Sequence, residues 1–270
     1  MTSMKLEWMP PDSEENYKPL NQNGVPNYTK GEFFYELNSS GYRCDEFSEI
    51  SELPVLFMGC SFTEGIGLPL NEVWSYNLHK KIVEVTGMKI PFWSVARGGT
   101  SIDYSSRAFY EYAPLLKPKY VFYFMSGISR REFKLGNENH INWFPNPNKG
   151  YNPDHKFKLA SYLFSDPDFA LYQTSRSLMI LNSMAKMYGT KIYIVDIDNF
   201  DNVEYSCKIK LFNQFEQIDY LGGISPDKLN YDIPENLKLR PLLARDNSHP
   251  GAVWQYKLYS YVWDRIKINF

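Results

Sequence analysis

Ser61 lies in "VLFMGCSFTEG", Val55 to Gly65, where an apolar run gives way to a turn of small residues. A serine hydroxyl is a poor nucleophile until a positioned base takes its proton. The chain holds four histidines that could serve, His79, His140, His155 and His249. His79 falls in an amphipathic stretch and is expected at the surface. His140 and His155 lie among Asn and Pro. His249 follows Asp246 in "DNSHP". In an Asp-x-x-His loop the carboxylate can fix the imidazole tautomer while the second ring nitrogen faces outward. Ser61, His249 and Asp246 together supply a nucleophile, a general base and the group that orients the base.

That chemistry passes through an oxyanion, which needs preorganised N–H or O–H donors. The backbone N–H of Ser61 is one candidate if the serine opens a helix. A second is the "RGGT" segment, where Gly98 and Gly99 admit a close backbone approach. A third donor is expected near Gly127 to Ser129. Cys60 is expected to be a buried structural thiol. His140, Asp154 and His155 lack the spacing of a metal site, so no metal or cofactor is expected.

Taken singly, each motif has an ordinary structural explanation. A serine at a strand end, two glycines in a turn, and Asp-Asn-Ser before Pro at a helix start are all common. Their order and the elements that carry them make the argument. "PVLFMG" (54–59), "IPFWSV" (90–95), "KYVFYFMSG" (119–127) and "TKIYIVDID" (190–198) are short apolar runs of the kind buried on both faces of a sheet. Helical patterns occupy about 70–86, 103–114 and 168–188. Such alternation predicts a mainly parallel sheet with helices on both faces, in which ligands bind at the carboxyl ends of the strands. Three of the runs end in "GCS", "SVARGGTS" and "MSGIS", which would share one rim.

Around this core the sequence predicts an N-terminal arm, 1–50, packed on a domain of 51–270. A short strand is expected near "EFFYELNS". Two irregular insertions, about 129–167 and 199–245, interrupt the alternation, and their aromatic content suggests ordered lids. Trp143 and Tyr151 in the first could bind substrate, as could Arg130 and Arg131 at its start. The final stretch after Pro250 reads as a helix.

Composition narrows the class. The 270 residues carry a formal net charge of -2, with 43% hydrophobic and 17% aromatic residues. A nearly neutral chain offers no long-range attraction to nucleic acid or anionic lipid, so neither partner is expected. Cys44, Cys60 and Cys207 are too few and too scattered for a disulfide framework. No apolar leader and no run of about 18 apolar residues is visible, so a cytoplasmic protein, including a phage-encoded one, is expected.

"GCSFTEG" resembles the first block of the SGNH, or GDSL-type, hydrolases, and "SVARGGTSID" and "DNSHP" are similar to their second and last blocks. The resemblance spans about 54–266 and implies a three-layer α/β/α, flavodoxin-like fold. It implies ester hydrolysis of small acyl groups by Ser61, Asp246 and His249, with Ser61, Gly99 and Ser129 forming the oxyanion hole. The polar aromatic lids suggest O-acetyl groups on carbohydrate. Cys60 replaces the family's Asp, and Ser94 stands where Asn is frequent. "GISR", Gly127 to Arg130, replaces Gly-x-Asn-Asp, so Ser129 offers a hydroxyl in place of a carboxamide. Two alternatives stay open: an acyltransferase on the same triad, and a weakened glycan-binding or virion-associated module. Oligomeric state is not legible.

Overall fold

Strand Val55–Gly59 (β3) is buried at every position, as are four of the five residues of Tyr120–Phe124 (β5). A computed structural model of the chain describes residues 4–20, 24–134, 140–143, 166–197, 205–225 and 229–266. These two strands are the middle of a five-stranded, all-parallel sheet. It is flanked by Trp93–Ser94 (β4) on one side and by Lys191–Ile197 (β8) and Ile218–Ile224 (β9) on the other, in the order β4-β3-β5-β8-β9. Gly59 pairs with Phe124, and Phe124 with Val195, so β3 and β5 end level with one another while β8 runs on to Ile197.

Alternation along these strands sends side chains to opposite faces. Leu56, Met58, Val121, Tyr123, Ile192 and Ile194 pack with helices Ile102–Leu116 (α3) and Pro167–Tyr188 (α4). Val55, Phe57, Phe122, Phe124, Tyr193 and Val195 pack with Trp74–Thr86 (α2) and Ala252–Arg265 (α7). The result is three layers, α/β/α, as the sequence predicts. Each fully buried apolar side chain contributes ~1.5–3 kcal/mol, which is why such strands read as unbroken apolar runs. Local signals start the helices: the Ser101 hydroxyl accepts the Tyr104 N–H at α3, and Asp166 accepts from Phe169 at α4, with Pro167 in the first turn.

Several elements differ from expectation. Only Trp93–Ser94 of "IPFWSV" forms a strand. The stretch 199–245 carries helix Tyr205–Phe212 (α5), the edge strand β9 and the short helix Glu235–Lys238 (α6). Strand β9 evaded the sequence because "IDYLGGI" is broken by a register shift opposite Ile194/Val195, with Gly222 at φ +104°. In the first predicted insertion, Arg131–Lys134 (β6) and His140–Trp143 (β7) pair antiparallel. Residues 135–139 and 144–165, Tyr151 and His155 among them, lie outside the described residues. Before the sheet, Met4–Leu6 (β1) and Tyr35–Leu37 (β2) form a second antiparallel ribbon.

Candidate active site

At the end of β3 the chain must reverse direction at once. Gly59 has φ +152°, and a Cβ there would lie 2.2 Å from Thr63 Oγ1 and 2.9 Å from the Phe124 carbonyl oxygen. Glycine permits the turn. Cys60 then caps the four-residue helix Ser61–Glu64 (α1), so Ser61 opens that helix, 7% exposed. Neighbouring side chains hold the turn. Arg43 Nη1 donates to the carbonyls of Glu64 and Gly65 at 3.1 and 2.7 Å, Ser75 Oγ to Thr63 at 3.1 Å, and Gln255 Nε2 to Phe62 at 3.2 Å.

From the far end of the sequence, the loop before α7 brings Asp246 and His249 to the same rim. His249 Nδ1 lies 2.5 Å from Asp246 Oδ2, while Asp246 Oδ1 accepts the backbone N–H groups of Ser248 and His249 at 3.1 and 3.0 Å. Burial works against the Asp246 charge. The hydrogen bond and charge of His249, with the two backbone donors, outweigh it and hold the carboxyl below its ordinary value. With Nδ1 donating to an ionised Asp246, the lone pair of the unprotonated imidazole sits on Nε2, where it could act as a base. The imidazole stands edge-to-face on the ring of Phe62, the residue after Ser61, with centroids 5.8 Å apart. Ala244 N–H donates to the His249 carbonyl at 2.9 Å and closes the loop.

The glycine segment also comes close to Ser61. A Cβ on Gly98 would come within 3.7 Å of Ser61 Cβ and 3.3 Å of Glu64 Oε2. The Gly98 N–H is donated to Glu64 Oε2 at 2.5 Å, and Thr100 Oγ1 ties the loop by donating to Arg97 O at 2.7 Å. Gly99 has φ +74°. Glu64 is 3% exposed. Burial pushes its carboxyl up to about 7, against the pull of the Gly98 N–H and of Arg97, Arg43 and His249. This carboxylate escaped the sequence reading. Its signal is a charge inside the otherwise small and apolar "GCSFTEGIG".

The remaining candidates divide. Ser129 is half-buried in a turn closed by Arg130 N–H to Gly127 O at 3.1 Å. Gly127 and Arg130 line a small cavity of about 20 Å³ beside Cys60 and Phe62, with Asp196 also in its wall. Arg131 turns inward. It is 3% exposed, and its guanidinium donates to the carbonyls of Arg130 and Ala170. Trp143 pairs with Arg131 in the β6–β7 ribbon. Cys60 is buried, as expected. His79, expected at the surface, is buried with Nε2 2.7 Å from the Ile90 carbonyl, and desolvation lowers its pKa. No group of three or more potential ligands that could hold a metal ion occurs among the described residues, and no described helix is long and apolar enough to cross a membrane.

No protein-family model and no curated protein matches the sequence. Solved structures share the fold. The chain is similar to TesA at 14% identity and a TM-score of 0.52, over 79% of this chain and 97% of that one. It is also similar to a variant of Axe2, an acetyl-xylooligosaccharide esterase from Geobacillus, at 14% identity and a TM-score of 0.50, over 81% and 96%.

Proposed function

We propose that this chain is a serine-dependent ester hydrolase acting on small acyl esters, with O-acetyl groups of carbohydrate as its substrates. The observation that carries the reading is the 2.5 Å contact of Asp246 with His249, its imidazole packed on Phe62 beside the buried Ser61. The fold shared with an acetyl-xylooligosaccharide esterase supports the choice of acyl group and alcohol.

In this reading Ser61 Oγ attacks the ester carbonyl carbon as His249 Nε2 takes its proton. Asp246 steadies the imidazolium. The carbonyl oxygen becomes an oxyanion held by the backbone N–H groups of Ser61 and Gly99 and by the Ser129 hydroxyl. Collapse expels the alcohol, which takes the proton back from His249. Water, deprotonated by the same imidazole, then releases the acid and restores Ser61. Arg130 at the cavity wall and Trp143 and Tyr151 are assigned to substrate binding.

A fluorophosphonate probe tests this. Peptide mass analysis is expected to find the label on Ser61, and to find none in Ser61→Ala or His249→Ala proteins. A well-folded wild-type protein that takes no label would overturn the assignment.

A further inference from the structure

The residue before Asp246 is held from the opposite end of the sequence. Arg245 is fully buried, and so is Asp12, in the segment that precedes the sheet. Arg245 Nη2 donates to Asp12 Oδ2 at 2.7 Å, and Nε reaches both carboxylate oxygens at 3.1 Å. Nη2 also donates to the Glu7 carbonyl at 2.6 Å. Two rings sandwich the guanidinium, its carbon 4.1 Å from the Trp8 centroid and 4.0 Å from that of Phe33.

The backbone of Arg245 is fixed as well. Its N–H donates to the Gly67 carbonyl at 2.8 Å, and its carbonyl accepts from Asn27 Nδ2 at 2.9 Å. The Tyr35 hydroxyl closes the circuit. It donates to Asp12 Oδ2 at 2.6 Å and accepts the Gly67 N–H at 2.7 Å. Gly67 follows the turn that carries Ser61, so one connected set of bonds spans the serine turn, the Asp246–His249 loop and the N-terminal segment.

We propose that Asp12 is a positioning residue, which acts through Arg245 to set the Asp246–His249 pair against Ser61. The proposal rests on the reading of that pair as the catalytic base. The reason is geometric. A buried guanidinium deprived of its carboxylate must move toward another acceptor or water, and its backbone is continuous with Asp246. A displacement of about 1 Å at such a group is enough to cost roughly 100-fold in rate.

The test uses the full chain with Asp12→Asn, Asp12→Glu and Tyr35→Phe, each assayed below its own unfolding transition. The first readout is the rate at which the fluorophosphonate labels Ser61 per folded molecule. The second does not depend on turnover: the proton resonance of the His249 Nδ1–H, assigned by its loss in His249→Ala. Labelling is expected to slow about 10- to 100-fold in Asp12→Asn and about threefold in Tyr35→Phe, with part of the rate returned in Asp12→Glu. The Nδ1–H resonance is expected to shift or broaden in parallel.

A lower melting temperature with wild-type labelling and an unmoved resonance would overturn the proposal and leave Asp12 a purely structural residue. If wild-type protein takes no label, the esterase reading fails and the resonance alone decides the positioning role. If Asp12→Asn does not fold, Tyr35→Phe decides by the same two readouts.

Discussion

Glu64 Oε2 accepts the backbone N–H of Gly98 at 2.5 Å. That bond occupies the Gly98 N–H, which accords with the proposal of Gly99, the next residue along, as the oxyanion donor. It also fastens the glycine loop to the helix that begins with Ser61.

Because burial raises the Glu64 carboxyl from 4.5 to about 7, its folded form binds a proton more tightly than its unfolded form. Its contribution to stability is therefore fully present below pH 4.5 and is lost as pH rises through 7. The shift corresponds to a loss of about 3 kcal/mol above pH 8. Glu64→Gln keeps an acceptor for Gly98 without the charge. Denaturant unfolding of both proteins is expected to show the variant gaining on wild type by about that amount between pH 4 and pH 8. A pH-independent difference would contradict the argument.

Asp246→Asn keeps the shape of the loop but presents a carboxamide to His249. Its N–H₂ group favours the tautomer with the proton on Nε2, so the ring cannot accept from Ser61. Turnover of a nitrophenyl acetate is expected to fall about 10⁴-fold with little change in KM. The lowered Asp246 carboxyl has a second consequence: its stabilisation is present above its ordinary value and is lost as pH falls through the depressed one. The stability difference between wild type and Asp246→Asn is expected to shrink as pH falls below the ordinary carboxyl value, as thermal melts at pH 3 and pH 7 would show.

Ser129 carries the weakest donor assigned to the oxyanion. Ser129→Ala is expected to lower kcat about 10- to 100-fold with KM unchanged, and Ser129→Asn, with a carboxamide donor, to exceed wild type. Equal kcat in all three would remove Ser129 from the site.

Gly59→Ala meets two obstacles, a φ of +152° and Thr63 Oγ1 at 2.2 Å from the added methyl. Strain and overpacking each cost about 1–3 kcal/mol, so a stability loss of several kcal/mol is expected in urea. The paired change Gly59→Ala with Thr63→Ala should return only the part due to Thr63 Oγ1, because the Phe124 carbonyl oxygen and the Thr63 Cβ stay 2.9 Å from the methyl.

The central strands were legible because burial on both faces leaves no polar alternation in Val55–Gly59, and almost none in Tyr120–Phe124 or Lys191–Ile197. Asp246 and His249 were legible because they lie on one short loop, where spacing alone implies contact. Strand β9 was not, since a bulge and paired glycines imitate a turn. His79 was misplaced for a similar reason: one carbonyl, that of Ile90, makes burial tolerable, and no helical pattern reports it. Glu64 and Gly98 meet only through the fold, and Asp12 meets Arg245 across 233 positions of sequence.

That separation has a consequence for synthesis. At about 5–20 residues per second, a nascent chain carries Asp12 for roughly 10–50 s before Arg245 has been added. The ribbon and the serine turn emerge early, with the carboxylate still in water and the loop that completes the rim not yet translated. The Asp12–Arg245 bond therefore belongs to the last tertiary contacts the growing polypeptide can make. A nascent chain that ends before Arg245 can bury much of the sheet, yet it still lacks His249, the residue proposed above as the base for Ser61.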